Sequence, residues 1–280
     1  MKNLILINSK GDKYDLLNIA NTPTFQIDGL GFSDDTEFVR IGQQYIPLEE
    51  KSSQRTISLT LLFYNSSDQY YNAFFKFAKR SPLLMMYEND SGIYYIPCRL
   101  RTIQKTDRKG YNAYGCPVTF VMTGNPYRVV SGFNEGETGI GKNYGAVGYT
   151  YDYTYSNDIM NTVIISSDSS VESSCIITLY GEIANPVWRH YIDGAYYESG
   201  AYEGTIPEGH SLVIDSHSVP YSVIEYDNQG NVVADRYSLC DFSTERFMKV
   251  NEGVNRYSVS QDNVDAVKMK VEAYIEYETV

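Results

Sequence analysis

The clearest alternation of hydrophobic and polar residues in the first half of the chain spans residues 56–63. One side of this segment carries Ile57, Leu59, Leu61 and Phe63, and the other carries mostly threonine and serine. A period of two predicts a strand with one face in the core. A second alternating strand, Cys116 to Met122, ends before Asn125-Pro126, because proline removes a ladder donor. Residues 83–87 and 93–103 predict the two arms of a hairpin.

A helix is predicted near residues 67–80, between these strands. Its apolar positions recur at helical spacing: Tyr70, Tyr71, Phe74, Phe77 and Ala78. This spacing places an aromatic stripe on one face of the helix, which should pack on the sheet. Ser81-Pro82 ends the helix. Strands, one helix and further strands predict an α+β domain over residues 1–132, within a mainly β protein.

The second half predicts short strands separated by turns, and no helix. The predicted strands span residues 162–165, 175–179, 211–214, 222–226, 232–237 and 257–260. The last segment alternates most clearly, with one side formed by Val267, Met269, Val271, Ala273, Ile275 and Tyr277. Turns are indicated at Asp227–Gly230 and Val250–Gly253. The pattern predicts a β-sandwich or jelly roll over residues 149–280.

A glycine- and tyrosine-rich segment separates the two patterns. Glycines concentrate between residues 136 and 145, and tyrosines stand at every second position from Tyr149 to Tyr155. Glycine-rich sequence is typical of a linker, which we place at residues 133–148. A length of 280 residues is enough for two domains with separate cores. The second proline stop, Asn185-Pro186, falls inside the second domain.

The two halves differ in charge. Residues 1–130 hold 15 basic and 12 acidic residues, whereas residues 131–280 hold 8 and 23, within a net charge of −12. An acidic chain without a clustered basic surface argues against sequence-specific nucleic acid binding. Apolar runs are too short for a membrane span, so no membrane partner is expected. The four widely spaced cysteines, without a C-x-x-C pair, indicate buried thiols.

The chain offers little catalytic or metal-binding chemistry. Its three histidines, His190, His210 and His217, accompany no metal-binding motif, and we expect them to be exposed in loops. Gly139-Ile-Gly141-Lys142 lacks the spacing of a phosphate-binding loop. We therefore predict no catalytic residue, no metal, no cofactor and no enzyme activity.

Aromatic residues in the second half leave one alternative open. A sugar-stacking face is one interpretation of the set Trp188, His190, Tyr191, Tyr196 and Tyr197, because aromatic rings match the apolar faces of sugars. A core tryptophan with strand tyrosines is the simpler interpretation. The alternative function is thus a carbohydrate-binding β-sandwich protein that recognises host cell-surface sugars.

Taken together, these segments resemble a known family. The first half shows the strand 55–63, the aromatic helix, Tyr94-Tyr-Ile-Pro-Cys98 and the strand that closes on Asn125-Pro126-Tyr127. It resembles the N-terminal domain of siphophage distal tail proteins, called Dit. The second half shows Asn185-Pro186, the segment 206–215 and the segment 250–255. It resembles the galectin-like C-terminal domain of the same family.

The resemblance implies a structural role in a phage or prophage tail. Family members form a hexameric ring that joins the major tail tube protein to the tail-tip protein. The ring serves as a baseplate hub for receptor-binding or accessory baseplate proteins. The expected location is the virion tail tip, after synthesis in the bacterial host cytoplasm. We expect the strand 149–155 and the aromatic helix to supply apolar ring contacts.

Overall fold

The structure is a computed structural model that describes residues 3–17, 24–31, 37–49, 54–64, 67–106, 114–134, 161–241, 247–262 and 267–280. The fold is mainly β with one α-helix among these residues, as the sequence predicted. By its internal contacts the chain divides into two compact units. Residues 1–128 and 277–280 form the first unit, and residues 129–276 form the second. No helix within the described ranges is long and apolar enough to span a membrane.

In its described residues, the first unit contains nine strands and the helix. They are β1 (Asn3–Ile7), β2 (Lys13–Asp15), β3 (Thr24–Asp28), β4 (Glu37–Ile41), β5 (Gln44–Glu49), β6 (Thr56–Phe63), α1 (Ser67–Ala78), β7 (Leu83–Asn89), β8 (Gly92–Ile103) and β9 (Tyr114–Met122). The predicted helix near 67–80 and the strand at 56–63 are therefore confirmed. The predicted hairpin is β7–β8, in which Asn89 pairs with Gly92.

Hydrogen bonding joins most of these strands in the order β3-β6-β9-β8-β7-β1-β2. Strand β8 is long enough to pair with β7 along its first half and with β9 along its second. Strands β4 and β5 pair only with each other and form a separate two-stranded sheet. This separation makes the β4–β5 hairpin distinct from the rest of the unit.

Alternation places one side of β6 in the core, where Ile57, Leu61 and Phe63 have no exposed surface. Helix α1 packs its aromatic stripe against this core. Phe74 and Ala78 are fully buried, while Tyr70, Tyr71 and Phe77 are partly buried against the same cluster. The Phe74 ring meets the Tyr14 ring edge-on, with 5.1 Å between centroids. The predicted packing of the stripe on the sheet is confirmed.

Strand β10 (Tyr127–Asn134) follows, and thirteen further strands lie among the described residues of the second unit. They are β11 (Thr162–Ser167), β12 (Ser173–Tyr180), β13 (Ile183–Ala184), β14 (Val187–Ile192), β15 (Ala195–Tyr202), β16 (Thr205–Ile206), β17 (Ser211–Asp215), β18 (Ser222–Tyr226), β19 (Val232–Asp235), β20 (Cys240–Asp241), β21 (Lys249–Val250), β22 (Gly253–Ser260) and β23 (Lys268–Glu276). A short 3-10 helix, Tyr237–Leu239, precedes β20.

Two sheets form the core of the second unit. One has the order β19-β18-β17-β12-β23-β10, and the other has the order β11-β22-β14-β15-β20. Strand β23 buries every second residue from Met269 to Ile275, as predicted. Tyr257 on β22 is also buried, and its hydroxyl donates to the Lys249 carbonyl on β21, which pairs with β12. The two sheets thus face a common interior, which is the arrangement of a β-sandwich.

The contact division departs from the predicted domain bounds at both ends of the second domain. Residues 133 and 134, predicted as linker, end strand β10. Residues 277–280, predicted in the second domain, belong to the first unit. The Tyr277 backbone N–H donates to the Pro126 carbonyl at 2.8 Å, and its ring meets Tyr94 edge-on. The predicted remainder of the linker and the strand 149–155 lie outside the described residues.

Candidate assembly surfaces

The β4–β5 hairpin exposes more large apolar side chains than any segment of similar length that the structure describes. Gly42, with a φ of +67°, starts the two-residue turn that joins the strands. A positive φ costs glycine less than any residue with a side chain, so Gly42 favours this turn. Exposed fractions reach 56% for Phe38, 60% for Ile41 and 67% for Tyr45.

Both faces of this hairpin are apolar. The register pairs Val39 with Ile46 on one face, and Arg40 with Tyr45 on the other. Phe38 lies on the same face as Tyr45, because side chains alternate along a strand. Every residue from 37 to 47 is exposed. The hairpin therefore has no core face of its own within the described part of the chain.

An isolated two-stranded hairpin is marginally stable in water, since it buries little apolar surface. Exposed apolar patches of this kind mark sites of protein association. The β4–β5 hairpin is thus the strongest candidate assembly surface of the first unit. The sequence pattern did not predict this hairpin. Apolar residues stand on both of its faces, so the alternation of apolar and polar residues that identifies a strand is absent. Its detectable signals were Gly42 at a two-residue turn and the apolar runs that flank it.

The two segments expected to supply ring contacts have different outcomes. The strand 149–155 lies outside the described residues. The aromatic stripe of α1 packs against the core of its own unit, with Tyr70, Tyr71 and Phe77 only partly buried, and its share in ring contacts stays a prediction. The stripe packs inward because the strand β6 beside it presents a complementary apolar face.

The predicted aromatic sugar-binding face is not assembled as a set. Trp188 and His190 stand on β14 with their side chains buried, at 2% and 0% exposed. The Trp188 indole packs on Gly200 of β15, where a Cβ atom would lie 2.5 Å from the indole nitrogen. Tyr191 and Tyr196 instead contact each other edge-on, with ring centroids 5.9 Å apart, on the opposite face of the sheet.

The expectation of exposed loop histidines is wrong, because His190 is buried on strand β14 and His210 and His217 are partly buried. His190 has polar partners on both sides of its ring. Its Nδ1 lies 2.9 Å from the Glu198 carboxylate, and its Nε2 lies 2.9 Å from the Asn255 side-chain oxygen. The ring also stacks on Tyr257, with 4.6 Å between centroids. Burial is tolerated because both ring nitrogens have partners. This arrangement fixes strands β14, β15 and β22 relative to one another.

His210 is partly buried in a second polar cluster. Its Nδ1 lies 2.6 Å from one oxygen of Glu225, and the Arg236 guanidinium donates to the other oxygen at 2.6 and 2.8 Å. Burial alone would raise the pKa of Glu225, but the hydrogen bonds from His210 and Arg236 lower it below its ordinary value. Glu225 is therefore a structural carboxylate that remains ionised.

The cysteines are free thiols, and three of the four are buried, in line with the sequence interpretation. Burial raises the pKa of Cys98 and of Cys175 to about 12. Thiols with such pKa values are poor nucleophiles and poor metal ligands at neutral pH. Among the described residues, no group of three or more histidine, cysteine or acidic side chains could hold a metal ion.

The comparisons with known proteins agree with this picture. Residues 3–123 match the family described as distal tail protein, N-terminal domain. A chain of the phage P2 baseplate in its activated conformation with calcium matches over 100% of both chains, with a TM-score of 0.67 and 15% identity. The Dit protein of phage SPP1 matches over 98% of this chain and 99% of its own, with a TM-score of 0.66 and 8% identity. None of the curated proteins matches the sequence.

The domain match and the shared fold define a structural protein of phage tails. At these identities the solved structures show the fold, and the match over residues 3–123 supplies the family. Residues 3–123 therefore belong to the distal tail protein family, as the sequence resemblance to Dit predicted.

Proposed function

We propose that six copies of this chain close into a ring that joins the tail tube to the tail tip. The β4–β5 hairpin carries this proposal. A ring requires a heterologous contact, in which one surface of a copy binds a different surface of the next. An exposed hairpin with two apolar faces suits such a contact, because a neighbouring copy can cover surface that its own unit leaves exposed.

The ring would act as the hub on which the adsorption apparatus assembles. The SPP1 Dit protein is described as a paradigm of hub adsorption apparatus in phages that infect Gram-positive bacteria. By analogy, residues 1–132 of this chain form the ring domain. Its partners are the major tail tube protein on one side and the tail-tip protein on the other. The site of action is the virion tail tip, after synthesis in the host cytoplasm.

The second unit would serve as a peripheral domain. We propose that the second unit forms a galectin-like sandwich that carries receptor-binding or accessory baseplate proteins. Its two-sheet core and its excess of acidic residues support a soluble, outward-facing module. The role of the whole chain is structural, and the described residues contain no arrangement that suggests catalysis.

The hairpin contact is tested by the double variant Phe38→Ser/Tyr45→Ser. Both side chains lie on one face and are exposed, so the fold should be unaffected while the contact is lost. Size-exclusion chromatography with light scattering should show hexamers for the wild type and monomers for the variant. Thermal unfolding should give the same midpoint for both proteins.

A matched control is Val232→Ser/Val233→Ser, which removes two exposed apolar side chains from edge strand β19. This control should remain hexameric. A hairpin variant that forms hexamers as well as the wild type would exclude the hairpin as the contact. A wild type that stays monomeric at every concentration, alone and with its tube and tip partners, would contradict the ring.

A further inference from the structure

The outer face of the five-stranded sheet in the second unit carries two arginines and no carboxylate along two adjacent rows. The first row runs through Ile164, Arg256, Tyr191 and Tyr196, which are cross-strand neighbours. The second runs through Thr162, Ser258, Arg189 and Ser199. We call these two rows the arginine face. It is unusual in a half that holds 23 acidic residues and only 8 basic ones.

Neither arginine has an ion-pair partner within the described part of the chain. Arg189 donates one hydrogen bond, from Nη1 to the Ser260 hydroxyl at 2.9 Å. The Arg256 guanidinium carbon lies 4.2 Å from the centre of the Tyr191 ring, and its Nε is buried without a hydrogen-bond partner among the described residues. Both side chains keep donor capacity for an anion.

The tyrosines hold this arrangement in place. Stacking on Tyr191 fixes the plane of the Arg256 guanidinium, so little side-chain entropy remains to be lost when an anion binds. Tyr196 meets Tyr191 edge-on, and its hydroxyl lies 2.8 Å from the Ser199 hydroxyl. Tyr196 nevertheless remains 55% exposed, so an aromatic face is available beside the arginines.

We propose that the arginine face binds an anionic polysaccharide. Guanidinium groups pair with carboxylate or phosphate through two parallel hydrogen bonds. Exposed aromatic rings pack on the apolar faces of sugars, and Tyr196 offers such a ring beside the arginines. The acidic surroundings do not prevent this, because at physiological ionic strength charges are screened over about 8 Å. A ring assembled through the first unit would present six such faces.

The polysaccharide chemistry can come from two sources, so two anionic polymers are compared. Binding is measured by biolayer interferometry on immobilised polygalacturonate, which carries carboxylates, and on poly(glycerol phosphate), which carries phosphates. Neutral dextran serves as the uncharged reference. The wild type should bind at least one anionic polymer and should not bind dextran. Binding should weaken as salt is added, because the contact includes ion pairs.

Two variants assign the binding to the arginine face. Arg189→Gln/Arg256→Gln should weaken binding by roughly tenfold or more, since it removes both charge-assisted contacts. Tyr196→Ala leaves the charge unchanged and should also weaken binding. Lys268→Gln/Lys270→Gln removes the same charge from β23 of the other sheet and should bind like the wild type. All variants should keep the oligomeric state and unfolding midpoint of the wild type, which separates this test from ring assembly.

Three results would overturn the proposal. The first is failure of the wild type to bind either anionic polymer. The second is equal weakening by the Lys268/Lys270 control, which would indicate non-specific charge attraction. The third is competition by polyglutamate as strong as that by the polysaccharide, which would indicate an acidic protein segment as the occupant. If the arginine variant misfolds, the polymer binding of Tyr196→Ala tests the proposal by itself, and unchanged binding would overturn it.

Discussion

At the scale of single residues, Glu225 shows how the second unit stabilises a buried charge. Glu225 is 1% exposed, and its carboxylate accepts hydrogen bonds from Arg236 and His210. A buried carboxylate is costly unless such partners are present. Because these partners lower its folded-state pKa, the ionised form adds to stability.

Glu225 should make the free energy of unfolding depend on pH in the acidic range. The contribution of Glu225 is fully present above the unfolded pKa of about 4.3 and is lost as the pH falls through the lower folded value. Glu225→Gln should lower the free energy of unfolding by about 1.5 to 3 kcal/mol at pH 7 and flatten its decline in acid. Urea titrations between pH 3 and pH 7 measure both effects. An unchanged pH profile in Glu225→Gln would show that other groups cause acid unfolding.

In strands β14 and β15, the sequence pattern does not reveal which residues are buried. In β14 and β15 the inward positions include His190, Glu198 and Gly200, which are polar or lack a side chain. Alternation of hydrophobic and polar residues is therefore hidden, although Trp188 occupies the core. The pairing of His190 with Glu198 depends on the strand register, which a single sequence does not reveal.

At the scale of elements, the β4–β5 hairpin should be independent of the core. Replacing residues 37–49 with a short Gly-Ser linker should leave the thermal midpoint unchanged, because residues 37–47 are all exposed. Phe74→Ala in α1 is the contrasting change and should cost about 3 to 5 kcal/mol, because Phe74 is fully buried. Differential scanning calorimetry compares the two. A large loss of stability on replacing the hairpin would mean that it supports the fold.

Elements with one apolar and one polar face could be predicted from the sequence. The apolar residues recur at the same spacing as the buried residues in strand β6, helix α1 and strand β23. The β4–β5 hairpin could not be found in this way, since both of its faces carry apolar side chains and the alternation is absent. Hydrophobic alternation alone therefore does not predict this candidate assembly surface.

At the scale of the whole molecule, charge and contacts divide the chain at similar places. The first 130 residues are nearly balanced in charge, the remainder is strongly acidic, and the contact division falls at residue 128. A nearly neutral domain lets copies approach closely, whereas an acidic domain favours solubility and separation. This contrast is consistent with assembly through the first unit.

Single-particle electron microscopy of the purified wild-type chain would show directly whether the proposed ring forms. We predict closed rings of six copies, each of 31.8 kDa, with the β4–β5 hairpin of one copy against its neighbour. Native mass spectrometry on the same sample counts the copies. Monomers at all concentrations, open filaments, or rings whose hairpins face solvent would contradict the ring and its proposed contact.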